Sequence, residues 1–373
     1  MSRAGRAGFV LITATVIFVL GAIAVAQQGQ FPAPTELPNP YRLVVGWPTL
    51  PATMNGGHWG EVIRVDIDGK GNIWVFHRCF NTIPAGHATC IERGDSNPPI
   101  LEFDPSGKLL TSFGVGLFAY PHGFTVDKDG NVWASDVNDE ATVLGMSAKN
   151  SEGVIRGQEV LKLSPTGKVL MVLGKEGVSG NDQETFDRPA GVAVAPNGDI
   201  FVSDGHYPNK HGSARVVKFD KHGRFLKAWG QKGTGPGEFD EPHDIFIGGS
   251  KNRVYVADRR NSRIQVFDQN GKFIAAWKQF GQPSSVFVGK DDTIYVGTSF
   301  PDTKYKRGVL NGIMIGSAKD GSLKAFIPDP VERGKGDIAA TGTSASGIAA
   351  DEMGDIYAAD VGTHNLRKYA KVQ

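Results

Sequence analysis

Apolar and polar positions along this chain come in short alternating runs, broken again and again by the same kind of turn. One instance reads Val126-Asp127-Lys128-Asp129-Gly130-Asn131-Val132-Trp133, and the next Val194-Ala195-Pro196-Asn197-Gly198-Asp199-Ile200-Phe201. Each predicts a tight β-hairpin. Glycine accepts the positive φ of the turn, and the Asp or Asn beside it bonds its own backbone. Six such hairpins can be aligned, from Val65 to Phe76, Phe124 to Ala134, Val192 to Val202, Ile245 to Ala257, Val286 to Val296 and Ile348 to Ala358. Further strands follow most of them. Arg215 to Asp220, a turn at Gly223, then Phe225 to Gly230 is the clearest pair, and Arg263 to Asp268 with Phe273 to Trp277 repeats it. Period-2 alternation rich in β-branched and aromatic residues is the strand signature, and no stretch of useful length carries the 3.6-residue period of a helix.

Strands and turns repeating at roughly 40–65 residues point to radial repetition. The predicted fold is all-β, a six-bladed β-propeller. The last unit stops after its third strand, near Asn365 to Tyr369, whereas Tyr41 to Pro48 forms an orphan strand at the other end. Pairing the two completes blade six and leaves no open edge between first and last blades. The propeller is thus expected over residues 41–373. Its innermost strands would line a central channel, with six entry loops converging at one mouth, and candidate chemistry is sought there.

Outside the repeats the N-terminus is informative. Arg3 and Arg6 precede an apolar stretch from about Phe9 to Val25, which ends in Ala24-Val25-Ala26 and then Gln27-Gln28. A positive start, apolar middle and small-x-small exit describe a signal peptide over residues 1–26, followed by a loose leader over 27–40. An uncleaved membrane anchor is the alternative, since about 18 apolar residues just span a bilayer. Either way the folded part is expected to be secreted or periplasmic. The two cysteines, Cys79 and Cys90, then predict one disulfide closing a short loop. A formal charge of +1 over 373 residues, with no basic run, argues against nucleic acid as a partner.

Two blade entries carry the same dipeptide, in Tyr120-Pro121-His122-Gly123 and Glu241-Pro242-His243-Asp244. The equivalent slots of the other blades hold Ile63, Ala190, Ser284 and Ser346. Two imidazoles at matched repeat positions both aim at the axis and suit a shared zinc ion. The competing expectation is that each ring bonds a loop carbonyl and only shapes the channel mouth.

The repeats resemble the NHL family. Several motifs resemble more specifically peptidyl-α-hydroxyglycine α-amidating lyase and its bacterial relatives, over roughly Val44 to Tyr369. They are Trp74-Val75-Phe76-His77-Arg78, Pro121-His122-Gly123, Phe201-Val202-Ser203-Asp204-Gly205, Phe239 to Ile245 with Pro242-His243 inside it, and Val256-Ala257-Asp258-Arg259. The resemblance implies zinc held by three His from alternate blades, and cleavage of a carbinolamide C–N bond to leave an amide and glyoxylate. It makes His122 and His243 two of the ligands and Arg78 the holder of the substrate's carboxylate. A planar guanidinium suits that role because it bonds both carboxylate oxygens, although a salt bridge or a cap on the Cys79–Cys90 loop is the plainer reading of Arg78.

This chain departs from the pattern at three places. Ser346 stands where the third His is expected, and Gly347 stands where an acid would contribute to calcium, so the calcium site lacks that acid. His206 takes the slot of the catalytic Tyr, with Tyr207 next. His206 is therefore a candidate third nitrogen or general base, and Tyr207 a candidate base. His58 is another candidate third ligand. The resemblance implies a small-molecule or peptide substrate bearing a carboxylate, an oxidising partner on a separate protein, and a monomer. A non-catalytic propeller binding a peptide, glycan or protein at its channel face is the second reading. A lactonase-like hydrolase, which needs an acidic cage, has only Asp244 to offer.

Overall fold

The computed structural model describes residues 31–79, 90, 97–137, 155–206, 211–298, 311–330 and 345–372. Residues 1–26, expected to be a signal peptide, and Tyr207 lie outside them. The described residues form six four-stranded antiparallel sheets. Strand β1 (Tyr41–Val44) comes first. Blade one follows as β2 (Val62–Ile67), β3 (Ile73–His77), β4 (Ile100–Phe103) and β5 (Leu109–Phe113). Blade two is β6 (Pro121–Val126), β7 (Val132–Asp136), β8 (Glu159–Leu163) and β9 (Val169–Gly174). Blade three is β10 (Pro189–Val194), β11 (Ile200–Asp204), β12 (Arg215–Phe219) and β13 (Phe225–Trp229). Blade four is β14 (Pro242–Gly248), β15 (Arg253–Asp258), β16 (Arg263–Phe267) and β17 (Phe273–Trp277). Blade five is β18 (Pro283–Val288), β19 (Thr293–Thr298), β20 (Gly312–Ser317) and β21 (Leu323–Pro328). Blade six is β22 (Gly347–Ala350), β23 (Ile356–Asp360) and β24 (Asn365–Lys371), and β1 completes it in the order β1-β24-β23-β22. The ring closes as expected, with Leu43 opposite Tyr369 in the shared register.

The leader is less loose than expected. Leu37 packs against the core of blades four and five, the Pro38 carbonyl accepts from the Phe326 amide (3.1 Å), and that of Pro40 from Val372 (2.8 Å). Its last residues are thus stitched to blades five and six.

The turn phrase works as its chemistry requires. Asp127 Oδ1 accepts the amides of Asp129 (3.0 Å) and Asn131 (2.9 Å), while its Oδ2 accepts the Trp133 indole N–H (3.1 Å). Gly130 sits at φ +79°, which a side chain would resist. Between blades, aromatic side chains fill the wedge-shaped gaps. Phe76 stacks on Phe124 of the next blade at 5.3 Å and meets Phe118 edge-on at 4.9 Å.

Three features of this frame position the mouth. The inner strands of blades one to five open with a register shift, between Val62 and Arg64, Pro121 and Phe124, Pro189 and Gly191, Pro242 and Asp244, and Pro283 and Ser285. Such β-bulges re-aim a side chain, and here His122, Ala190, His243 and Ser284 occupy them. The Asp residues that end the second strands clamp the entry loops of their own blades. Asp136 accepts the Tyr120 amide (2.7 Å), Asp204 that of Asp187 (2.7 Å) and Asp258 that of Asp240 (2.7 Å). Third-strand arginines hold two of those carboxylates in turn, Arg215 on Asp204 (2.9 Å) and Arg263 on Asp258 (2.7 Å). Cys79 and Cys90 are joined in a disulfide, as expected, directly after Arg78.

Candidate functional site

His122 and His243 meet at the hub, and His206 joins them. The three imidazoles have ring centroids 4.6 Å (His122–His206), 4.8 Å (His122–His243) and 5.1 Å (His206–His243) apart. One ring nitrogen from each lies within 4.8 Å of the other two. Zinc–nitrogen bonds of about 2.0–2.1 Å put tetrahedral ligands roughly 3.4 Å apart, so an ion here would draw the rings together slightly.

The expectation that each paired histidine bonds a loop carbonyl holds at Nδ1 of both rings. His122 Nδ1 donates to the Ala190 carbonyl of the next blade (2.6 Å), and His243 Nδ1 donates to the Ser284 carbonyl of its next blade (2.7 Å). A carbonyl only accepts, so Nδ1 must carry the proton in each ring, and Nε2 is left with a free lone pair. His122 Nε2 is buried with no hydrogen-bond partner among the described residues. A fixed tautomer with a bare nitrogen turned into a polar cluster is the donor geometry a metal requires. Burial, and then the neighbouring His206, pushes the His122 pKa well below its ordinary value. For His243 the causes are burial, then Arg259. Both rings are neutral at pH 7 and need shed no proton to bind a metal.

His206 reaches the hub because the chain kinks after β11. Gly205 has φ +127°, and a Cβ there would lie 2.0 Å from the Ser213 carbonyl oxygen. The Gly205 and His206 amides both bond the Arg188 carbonyl, at 3.2 and 3.1 Å. His206 Nε2 lies 3.8 Å from Glu241 Oε1, and Glu241 Oε2 lies 3.8 Å from Arg259 Nε. Arg188 and Glu241, the residues just before β10 and β14, hold left-handed backbones at φ +72° and +66°. Strain of this kind on non-glycine residues concentrates at functional sites.

Arg78 is buried beside the cluster. Its Nη1 bonds Glu61 Oε2 (2.5 Å), its Nε donates to the Pro121 carbonyl (3.2 Å), and its guanidinium lies 3.8 Å over the Tyr120 ring. The expected salt bridge of Arg78 therefore exists, with Glu61. Burial pushes the Tyr120 hydroxyl above its usual range. The other candidate third ligand, His58, is elsewhere, and Ser346 stands where the third His was expected. His58 is exposed and outside the cluster. Ser346 is buried at the hub, but its carbonyl receives Arg64 Nη1. At Gly347 a Cβ would lie 2.7 Å from Arg64 Cα, so blade one's backbone occupies the space an acid there would need. Sequence reasoning gave no role to Arg64, Glu61 or Glu241.

Fold and site together define a class: a six-bladed propeller whose hub gathers three imidazoles beside the buried Arg64 and Arg78. A family model described as "6-bladed beta-propeller" matches residues 195–304. The mouse protein named peptidyl-glycine alpha-amidating monooxygenase is 32% identical over 260 residues, 64% of this chain and 23% of that protein. The Caenorhabditis elegans protein named probable peptidyl-alpha-hydroxyglycine alpha-amidating lyase is 32% identical over 211 residues, 54% of each. The solved structure of a putative gluconolactonase superposes with a TM-score of 0.53 at 10% identity, covering 90% of this chain and 93% of that one, which bears on fold alone. The chain is a six-bladed β-propeller homologous, at about 30% identity, to peptidyl-α-hydroxyglycine α-amidating lyases and to NHL-repeat proteins. It spans about a fifth of the length of the mouse relative and about half of the nematode one.

Proposed function

We propose that this chain is a secreted, zinc-dependent lyase of the peptidyl-α-hydroxyglycine amidating type, cleaving an N-acyl-α-hydroxyglycine to an amide and glyoxylate. The observation that carries the reading is the cluster of His122, His206 and His243, with tautomers set by the Ala190 and Ser284 carbonyls. The donor set fits zinc: three imidazoles whose ring nitrogens lie within 4.8 Å of one another, which in a catalytic zinc site leaves a fourth position for substrate. When bound, zinc supplies positive charge that lowers the pKa of a nearby hydroxyl.

The chain's own residues have the remaining work. The reaction breaks one C–N bond, moves the hydroxyl proton off oxygen and delivers a proton to the departing amide nitrogen. No water is consumed. Arg78, held by Glu61 and stacked on Tyr120, binds the substrate's carboxylate and so orients the carbinol carbon toward the histidines. With His206 in the cluster, Tyr207 is assigned as the general base, since it follows His206 directly in the chain. Secretion rests on the segment over residues 1–26 and on the Cys79–Cys90 bridge.

The test is glyoxylate release from a soluble N-acyl-α-hydroxyglycine by the zinc-loaded protein. Release well above the spontaneous rate, lost with chelator, is expected. Bound zinc without any turnover overturns the lyase assignment in favour of a non-catalytic binding propeller.

A further inference from the structure

Six carbonyls stand at equivalent places around the hub, one at each blade entry. Those of Ala190 and Ser284 are taken by the two histidine rings. Three more converge on one side chain, Arg64 of β2. Its Nη1 donates to the Ile63 carbonyl (3.1 Å) and to the Ser346 carbonyl, and its Nη2 donates to the His243 carbonyl (3.1 Å). Its Nη2 also lies 3.4 Å from Asp244 Oδ1, while Asp244 Oδ2 accepts the Val286 amide (3.0 Å). Arg64 is only 3% exposed. A buried guanidinium without partners would be costly, and here both terminal nitrogens have one or more, while Nε has no hydrogen-bond partner among the described residues.

The contacts tie together blades that are not neighbours in the chain. Ile63 belongs to blade one, Ser346 to the entry of blade six, and His243 with Asp244 to blade four. Blade six is admitted to this contact by Gly347, where any Cβ would meet Arg64 Cα at 2.7 Å and the Ile63 carbonyl at 3.0 Å. Asp244 extends the tie into blade five through Val286. The wheel is therefore braced across its hub by one side chain.

We propose that Arg64 is a positioning residue of the metal centre: by gripping the hub carbonyls of blades one, four and six, it fixes where His243 stands relative to His122 and His206. The importance of that placement for metal binding rests on the zinc reading above, whereas the brace itself does not. Partners that orient ligands in this way typically change metal affinity 10–100-fold when removed.

The experiment has two arms on the full mature chain. In the metal-free arm, hydrogen exchange is followed by mass spectrometry in the wild type, Arg64→Gln and Arg64→Lys. Arg64→Gln is expected to speed exchange in β14 and β22, distant in sequence, while the outer strands β13 and β17 keep wild-type rates. In the second arm zinc affinity is measured by chelator competition. A loss of about 10-fold or more is expected for Arg64→Gln, a smaller loss for Arg64→Lys, and partial recovery of an Arg64→Gly variant on adding millimolar guanidinium. Should Arg64→Gln fail to fold, the Lys variant and the guanidinium-treated Gly variant carry both arms. Unchanged exchange in β14 and β22, or faster exchange confined to β2, overturns the brace. Wild-type zinc affinity in a variant whose hub has loosened overturns the positioning role. A wild type that binds no zinc, with the hub loosened as expected, overturns the zinc reading and leaves the brace standing.

Discussion

Glu241 Oε1 lies 3.8 Å from His206 Nε2, joining a carboxylate of blade four to the imidazole that blade three sends to the hub. Its other oxygen faces Arg259 Nε at the same distance, and its backbone holds the left-handed φ of +66°. A carboxylate behind a histidine sets the ring's orientation and raises its basicity as a ligand. Glu241→Gln keeps the shape and removes the charge. It should weaken zinc binding by about 10-fold or more at constant fold, read by chelator competition beside circular dichroism. Unchanged affinity would make Glu241 a partner of Arg259 only.

Arg78 should discriminate by the substrate's charge. Arg78→Lys retains one positive charge but loses the planar fork, and with it the combination of Glu61, Pro121 and the stack on Tyr120. The wild type is expected to prefer an N-acyl-α-hydroxyglycine over its methyl ester by a wide margin in kcat/KM. In Arg78→Lys the KM for the free acid should rise about 10-fold, and the preference over the ester should shrink. A variant slower on both substrates by the same factor would place Arg78 in the scaffold alone.

Stability should carry a signature from Glu159. This residue is buried opposite Asp136 in the β7–β8 ladder, and its Oε1 has no hydrogen-bond partner among the described residues. Burial, and then the Asp136 charge, pushes its pKa up to about 8. A raised carboxyl pKa means the native state binds more protons than the unfolded chain. Its contribution is complete below about pH 4.5, the unfolded value, and is lost as pH climbs through about 8. Over that window the loss is on the order of a few kcal/mol. In Glu159→Gln the decline of Tm between pH 5 and pH 8 should flatten, and Tm at pH 8 should rise. A parallel decline in wild type and variant would show Glu159 ionised throughout.

The wheel was legible in the sequence because its turns are local. The chemistry of Asp127, Gly130 and Trp133 is written within seven consecutive residues, and it recurs in register. The last blade's missing strand could be read because Tyr41 to Pro48 was an orphan strand while the final unit stopped after its third. His122 and His243 were visible as repeat positions, although the bulges that aim them appear only in the strand register. His206 was visible as a misplaced histidine. Its arrival at the hub depends on the kink at Gly205, which a close approach to Ser213 imposes and no local pattern announces. Arg64 was missed because its partners lie 179 and 282 residues away. The signal available was an arginine and an aspartate, Arg64 and Asp66, alternating within an inner strand whose counterparts are mostly apolar. Charge at a channel position calls for a partner across the channel, and its identity is a property of the closed ring.

Metal content of the purified protein tests the central claim most directly. After saturation with zinc and gel filtration, elemental analysis should find one zinc per wild-type chain. His122→Ala, His206→Ala and His243→Ala should each lose it, while His58→Ala keeps it. A metal-free wild type, or a His206→Ala variant with its zinc intact, would contradict the three-histidine centre.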